Sequence, residues 1–99
     1  MIKPYNLTLQ AQLDLQEIWR YIALDNPIAA ERVEGELYAE FERLSHNPNI
    51  GHKREDITNK PVRFWSLYSY QIIYNSGQES ILILRILSGY RDLANMMED

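Results

Sequence analysis

Hydrophobic positions along this 99-residue chain follow two different periods, a helical one in the first half and a strand-like one in the second. Ala11, Leu15, Ile18, Trp19 and Ile22 recur at helical spacing, which predicts a helix over roughly residues 9–24 with one apolar face and with Gln12, Gln16 and Arg20 opposite. Thr8 stands where an N-cap is needed. Asp25-Asn26-Pro27 ends this helix and starts another, with Asn26 as N-cap and Pro27 at the first helical position, where its missing N–H costs nothing. The second helix is expected to reach about His46, burying Ala30, Val33, Leu37, Phe41 and Leu44 and turning Glu31, Glu34, Glu36, Glu40 and Glu42 mostly outward. So short a connection makes the two helices antiparallel neighbours. Gly35 costs about 1 kcal/mol relative to alanine in mid-helix, so it is expected to mark a close packing contact.

Beyond Asn47-Pro48-Asn49-Ile50-Gly51, which stops the second helix, and a polar loop from His52 to Lys60, the period changes to two. Val62 to Leu67 places Val62 and Phe64 on one face and Arg63, Trp65 and Leu67 on the other. Tyr68-Ser69 reads as a turn. Tyr70 to Tyr74 alternates less cleanly because Ile72 and Ile73 adjoin, and the link Asn75-Ser76-Gly77-Gln78-Glu79 has hairpin chemistry. Six of the seven residues from Ile81 to Leu87 are aliphatic, too continuous for a strand with one wet face, so this run is expected at the centre of a sheet. Simple alternation puts Arg85 with Ile81, Ile83 and Leu87, and Leu82, Leu84 and Ile86 on the other side. A guanidinium there must find a carboxylate, a carbonyl or water. Ile2 to Leu7 is a further short strand, placed at an edge or a strand end by Pro4. Leu93, Met96 and Met97 suggest a short C-terminal helix or tail. The expected fold is α+β, of order βααβββ(α): one domain over residues 1–99, with an antiparallel helical hairpin covering one face of a largely antiparallel four-stranded sheet.

Charge narrows the classes of partner. The net charge is −4, and the halves differ: residues 1–49 carry four basic and eight acidic side chains, whereas residues 50–99 carry six of each. An acidic chain is a poor default binder of nucleic acid, whose affinity comes from neutralised phosphates, so no direct DNA binding is expected of it alone and a protein partner is the better reading. Such a partner could meet the second half, where Lys53, Arg54, Lys60 and Arg63 cluster against Glu55 and Asp56. The absence of cysteine removes disulfides, thiolate catalysis and cysteine-ligated zinc, and fits a reducing cytosol. With neither an apolar leader nor a membrane-length run, the expected location is the cytoplasm.

Conventional catalytic signatures are absent: no glycine-rich phosphate loop, nucleophile elbow or metal-ligand cluster occurs, and no metal or cofactor is expected. His46 and His52 flank a proline turn and read as solvated loop histidines. Asp14 and Glu17 lie one helical turn apart and could act as paired carboxylates, though solvation or an ion pair explains them more simply. The arginines and tyrosines of the second half are better site candidates, because Arg63, Tyr68, Tyr70, Tyr74, Arg85, Tyr90 and Arg91 lie on or beside neighbouring strands. Arginine with tyrosine can position a phosphate and move a proton, as a metal-free ribonuclease requires, and both types are enriched at protein interfaces. A purely structural role, pairing Arg85 or Arg91 with a carboxylate, competes with either.

These residues, taken in order, resemble the ParE-type toxins of the RelE/ParE toxin–antitoxin superfamily. The resemblance rests on Ala11, Asp14-Leu15, Ile18-Trp19 and Tyr21-Ile22; on Pro48, Ile50-Gly51 and Arg54; on Val62-Arg63-Phe64-Trp65, Tyr70 and Ile72-Ile73-Tyr74; and on Arg85-Ile86-Leu87, Gly89 and Arg91-Asp92-Leu93. It implies the toxin component of a type II system, neutralised by a cognate ParD-like antitoxin with a DNA-binding domain and a tail that wraps the toxin. ParE relatives are associated with inhibition of DNA gyrase, whereas RelE relatives are ribosome-dependent mRNA endoribonucleases; a third possibility is a non-toxic member acting only in complex assembly. For a gyrase inhibitor, which is not itself an enzyme, Lys53, Arg54, Lys60, Arg63, Arg85 and Arg91 are the expected target- or antitoxin-binding residues. The groove between the helical hairpin and the sheet is the expected seat of an antitoxin helix. For an endoribonuclease, Arg63, Arg85, Tyr90 and Arg91 would be the catalytic set. Acidity favours the first, since RelE-type nucleases are strongly basic, and Asn95, Met96 and Met97 stand where their terminal tyrosine is expected.

Overall fold

The computed structural model describes residues 4–76 and 80–88, in the order β1 (Tyr5–Leu7), α1 (Leu9–Ala23), α2 (Pro27–His46), β2 (Arg63–Leu67), β3 (Tyr70–Asn75) and β4 (Ile81–Ser88). The strands form one sheet in the order β1-β4-β3-β2, so β4 lies inside it. β1 runs parallel to β4, and the other two pairings are antiparallel. Ile2 and Lys3 of the expected first strand, part of the β3–β4 link, and the tail with Tyr90, Arg91, Leu93, Met96 and Met97 lie outside the described residues.

Both helix starts use the caps expected of them. Thr8 Oγ1 accepts from Ala11 N (3.0 Å), and Asn26 Oδ1 accepts from Ala29 N (3.1 Å), each satisfying a backbone donor that the first turn leaves unpaired. Thr8 also fixes where α1 begins: its N–H donates to Ile83 O (3.0 Å) and its hydroxyl donates to Leu84 O (2.8 Å), pinning the β1–α1 corner to β4.

The whole expected stripe of α2 is buried, and its Val33, Leu37, Phe41 and Leu44 pack with Ala11 and Leu15 of α1 against Ile72, Tyr74, Ile81, Ile83 and Ile86 of the sheet. Trp19 is a correction. It is 36% exposed rather than part of the apolar face, because Ile18 and Ile22 already occupy the sector of α1 that meets the core. Gly35 is another: a Cβ built there meets nothing within 4 Å, so no close packing contact explains it.

A second cluster lies on the opposite sheet face, where Val62, Phe64, Ile73 and Leu87 pack with Ile57 from the loop and with Leu84. Adjacent Ile72 and Ile73 are therefore both buried because β3 is covered on both sides. The expected alternation along β4 fails at its middle. Ile73 pairs with Arg85 but Tyr74 pairs with Ile83, leaving Leu84 as an extra residue in a β-bulge. Its effect is to shift the phase, so Ile86 joins Ile81 and Ile83 on the helix side while Leu87 moves to the other face.

Candidate functional site

Arg85 follows the bulge directly and reaches Asp14 of α1. Its Nε donates to Asp14 Oδ2 (2.8 Å) and its Nη2 to Oδ1 (3.0 Å), a bidentate pair whose geometry suits the planar guanidinium. The same carboxylate accepts from Ile86 N (3.0 Å). That third bond gives the pair its meaning, because β1 stops pairing with β4 at Ile83 and Asp14 supplies an acceptor to the strand beyond that point. The hydrogen bonding it donates to Asp14, helped by the carboxylate charge, holds the Arg85 guanidinium above its ordinary pKa against partial burial. Asp14 and Glu17 are not a carboxylate pair: Asp14 turns to the sheet and Glu17 is exposed.

Arg63 is likewise engaged inside the fold. The register of β2 on β3 sets it opposite Tyr74, and together they fasten the segment after α2. Arg63 Nη1 donates to Gly51 O (2.8 Å) and to Asn49 O (3.4 Å). The Tyr74 hydroxyl donates to Pro48 O (2.8 Å) and accepts from Gly51 N (2.9 Å). Burial raises the pKa of this phenol, opposed by the Gly51 hydrogen bond and the nearby Arg63 charge. Gly51 is required here because a Cβ would stand 2.5 Å from the Tyr74 hydroxyl oxygen.

The remaining candidates lie on or beside the loop between α2 and β2. Lys53 is exposed. Arg54 forms a surface pair with Asp56 (Nε to Oδ1 3.0 Å, Nη2 to Oδ2 2.9 Å), and this bond holds the Asp56 carboxyl below its usual range. Lys60 and Arg85 come together along an open hollow of about 410 Å³ whose wall includes Thr8, Val62 and Leu84. Arg63, in contrast, projects on the same side of β2 as Trp65 and Leu67, which pack against the helix-side core. Tyr90 and Arg91 lie outside the described residues, so the six expected binding positions are brought together only in part.

A larger hollow of about 660 Å³ opens where edge strand β1 meets the hairpin, between Tyr5, Asn6 and Leu7 on one side and Gln12, Tyr38 and Glu42 on the other. Burial, then the neighbouring Tyr38 and Glu42, push the Tyr5 phenol upward. Sequence reasoning missed a cluster around Trp65, whose indole donates to Glu40 Oε1 (2.7 Å) while His52 stacks on the ring and the Arg43 guanidinium lies 5.8 Å from its centroid. An indole next to a buried phenylalanine, and so on the other face of the same strand, was the available signal, but nothing local names its partners. Among the described residues, no group of three histidine, aspartate or glutamate side chains could hold a metal ion, and no helix is long and apolar enough to cross a membrane.

A helical hairpin on a four-stranded mixed sheet, with Arg63 tied to loop carbonyls and Arg85 to a helix carboxylate, defines a small α+β protein. A solved structure described as the chromosomal ParDE toxin–antitoxin system from P. aeruginosa superposes with a TM-score of 0.72, covering 87% of this chain and 95% of that one at 24% identity. Residues 5–93 match the model of a family described as the ParE toxin of the type II toxin–antitoxin system parDE, and the chain belongs to that family. It is also 30% identical over 82 residues to Toxin ParE3 of Caulobacter vibrioides, covering 82% of this chain and 81% of that protein.

Proposed function

We propose that this ParE-family toxin inhibits DNA gyrase by direct binding and is held inactive by a cognate antitoxin. The observation that carries the reading is the family match across residues 5–93, joined to the way the chain uses its arginines. A nuclease of the RelE kind needs several cations free to grip RNA and to stabilise charge on a transferring phosphate. Here Arg63 is bound to two backbone carbonyls and Arg85 to Asp14, and the two are not gathered around one hollow. Net acidity argues the same way. Lys53, Arg54, Lys60 and Arg91 are the proposed contacts for gyrase or antitoxin, with Arg85 contributing through Nη1, which has no hydrogen-bond partner among the described residues. The β1–hairpin hollow is the proposed seat for an antitoxin segment, since it offers a strand edge beside apolar and polar walls. Gyrase as target places the action in the cytoplasm.

A plasmid supercoiling and cleavage assay with purified gyrase tests the proposal, using the chain refolded free of antitoxin. Inhibition with linear DNA trapped on the enzyme is the expected result. No effect from a sample shown to be folded by circular dichroism would refute it, and cleavage of mRNA on added ribosomes would then identify the nuclease alternative.

A further inference from the structure

The outward face of α1 carries a pattern that neither the core nor the proposed site uses. Leu9, Leu13, Glu17, Arg20 and Leu24 fall within an arc of about 80° at 3.6 residues per turn, directly away from Ala11, Leu15, Ile18 and Ile22. Leu9 is 68% exposed, Leu13 45% and Leu24 84%, and Ile28, 82% exposed, stands at the hairpin tip just beyond Leu24. Isolated exposed leucines need no explanation, but an aligned stripe of them does.

The order of these residues is palindromic. About the midpoint between Ile18 and Trp19, Leu13 lies as far before as Leu24 lies after, Glu17 mirrors Arg20, and Leu9 mirrors Ile28. When two identical helices cross antiparallel on a two-fold axis through that midpoint, each position meets its mirror position on the partner. Leu13 then packs on Leu24 of the other copy and Glu17 meets Arg20 twice, with exposed Leu9 and Ile28 near the two ends of the contact. Both charged positions on the stripe meet their opposites, and Leu13 and Leu24 meet each other. Within a single copy, Glu17 and Arg20 have no ion-pair partner among the described residues. A heterologous partner would have no reason to find the stripe symmetric about its own centre.

We propose that the chain self-associates through this stripe as an isologous antiparallel α1–α1 dimer. The interface uses neither the β1 hollow nor the loop bearing Lys53, so both remain available to other partners. Four aliphatic side chains per copy put it at the small end of stable interfaces, which corresponds to a dissociation constant in about the micromolar range.

Sedimentation velocity on the purified, antitoxin-free chain over about 1 to 500 µM, bracketing that affinity, tests the proposal. The expected result is a concentration-dependent shift from the 11.7 kDa monomer to twice that mass. Glu17→Arg and Arg20→Glu each place like charges opposite one another and should weaken the dimer about tenfold or more, while the double variant exchanges the two signs and should restore it. Both positions are exposed, so circular dichroism should show every variant folded. Leu13→Asp and Leu24→Asp should leave the monomer. A chain that is monomeric throughout, or a dimer indifferent to the charge swaps, overturns the proposal. So does a monomer whose Leu13 and Leu24 methyl resonances shift only when the product of a neighbouring reading frame is added, which would assign the stripe to the antitoxin.

Discussion

Removing the Asp14 carboxylate should be among the most costly single changes in the helical half. Asp14→Ala deletes the acceptor of three hydrogen bonds, two from Arg85 and one from Ile86 N, and leaves both donors in a part-buried place. An orphaned buried backbone N–H costs about 1–3 kcal/mol. Breaking a fully buried ion pair costs about 3–5 kcal/mol, but the Arg85 side chain keeps 25% of its exposure and Asp14 12%, so water can reach part of the freed guanidinium. The sum expected is about 2–4 kcal/mol, a large share of the roughly 5–15 kcal/mol that stabilises a small domain. In urea, with a slope of about 1–1.5 kcal/mol/M for a chain of this size, the midpoint should fall by about 2 M at unchanged slope. Arg85→Met keeps a long apolar stem and leaves Asp14 its bond to Ile86, so it should cost less, about 1–2 kcal/mol. The double variant should cost less than the two singles together by about 1 kcal/mol or more. A loss under about 0.5 kcal/mol for Asp14→Ala would show the carboxylate to be solvated and the pair incidental.

Three further changes test other parts of the fold. Tyr74→Phe removes the bridge between Pro48 O and Gly51 N and should cost about 1–3 kcal/mol by urea titration; Gly51→Ala should cost a similar amount by crowding the ring, and the combined variant should fall short of the sum because the hydroxyl is the nearest atom. Gly35→Ala should stabilise by about 1 kcal/mol, raising Tm by about 4–8 °C in a thermal melt, because the position is helical and open; a lower Tm would mean that the glycine serves a contact. Burial first raises Tyr5, Tyr70 and Tyr74, and the hydrogen bond to Glu36 first raises Tyr68. Unfolded tyrosines release their protons near pH 10 while these hold theirs, so stability should be intact below about pH 10 and fall as the pH rises above it; a stability flat through that range would refute the sign.

The helices were legible almost to the residue, because a 3.6-residue period bounded by Thr8, Asn26 and Pro27 is a local signal with few competitors. Strand existence was equally plain. What escaped depended on two segments at once. The bulge at Leu84 is a mismatch of register between β3 and β4, so nothing in the run Ile81 to Leu87 announces it, and the face assigned to Ile86 and Leu87 came out reversed. The pair of Asp14 with Arg85 joins residues 71 apart in sequence. The sequence showed that the arginine needed a partner but not which of the acidic residues answers it. On α1 the buried stripe has a 3.6-residue period of its own, and the exposed Leu13 and Leu24 fall off that core-facing arc without any local signal of a role.

Helix acidity also acquires a different meaning once contacts are known. Asp14 holds Arg85, Glu40 accepts from the Trp65 indole, and Glu36 accepts from the Tyr68 hydroxyl at 2.7 and 2.9 Å. Three carboxylates of the acidic half thus fasten the hairpin to the sheet, the last of them steadying a turn whose Tyr68 sits at φ 55°, a backbone region unfavourable for a bulky side chain. The cations of the second half are correspondingly of two kinds. Arg63 and Arg85 hold the chain to itself, so in Arg63→Glu or Arg85→Glu a loss of toxicity would come mixed with a loss of stability whether or not either touches a target. Lys53 is exposed, and Lys53→Glu should leave the urea midpoint where it was. Toxicity lost in Lys53→Glu at unchanged stability would therefore locate a contact, and the same loss in Arg63→Glu would not.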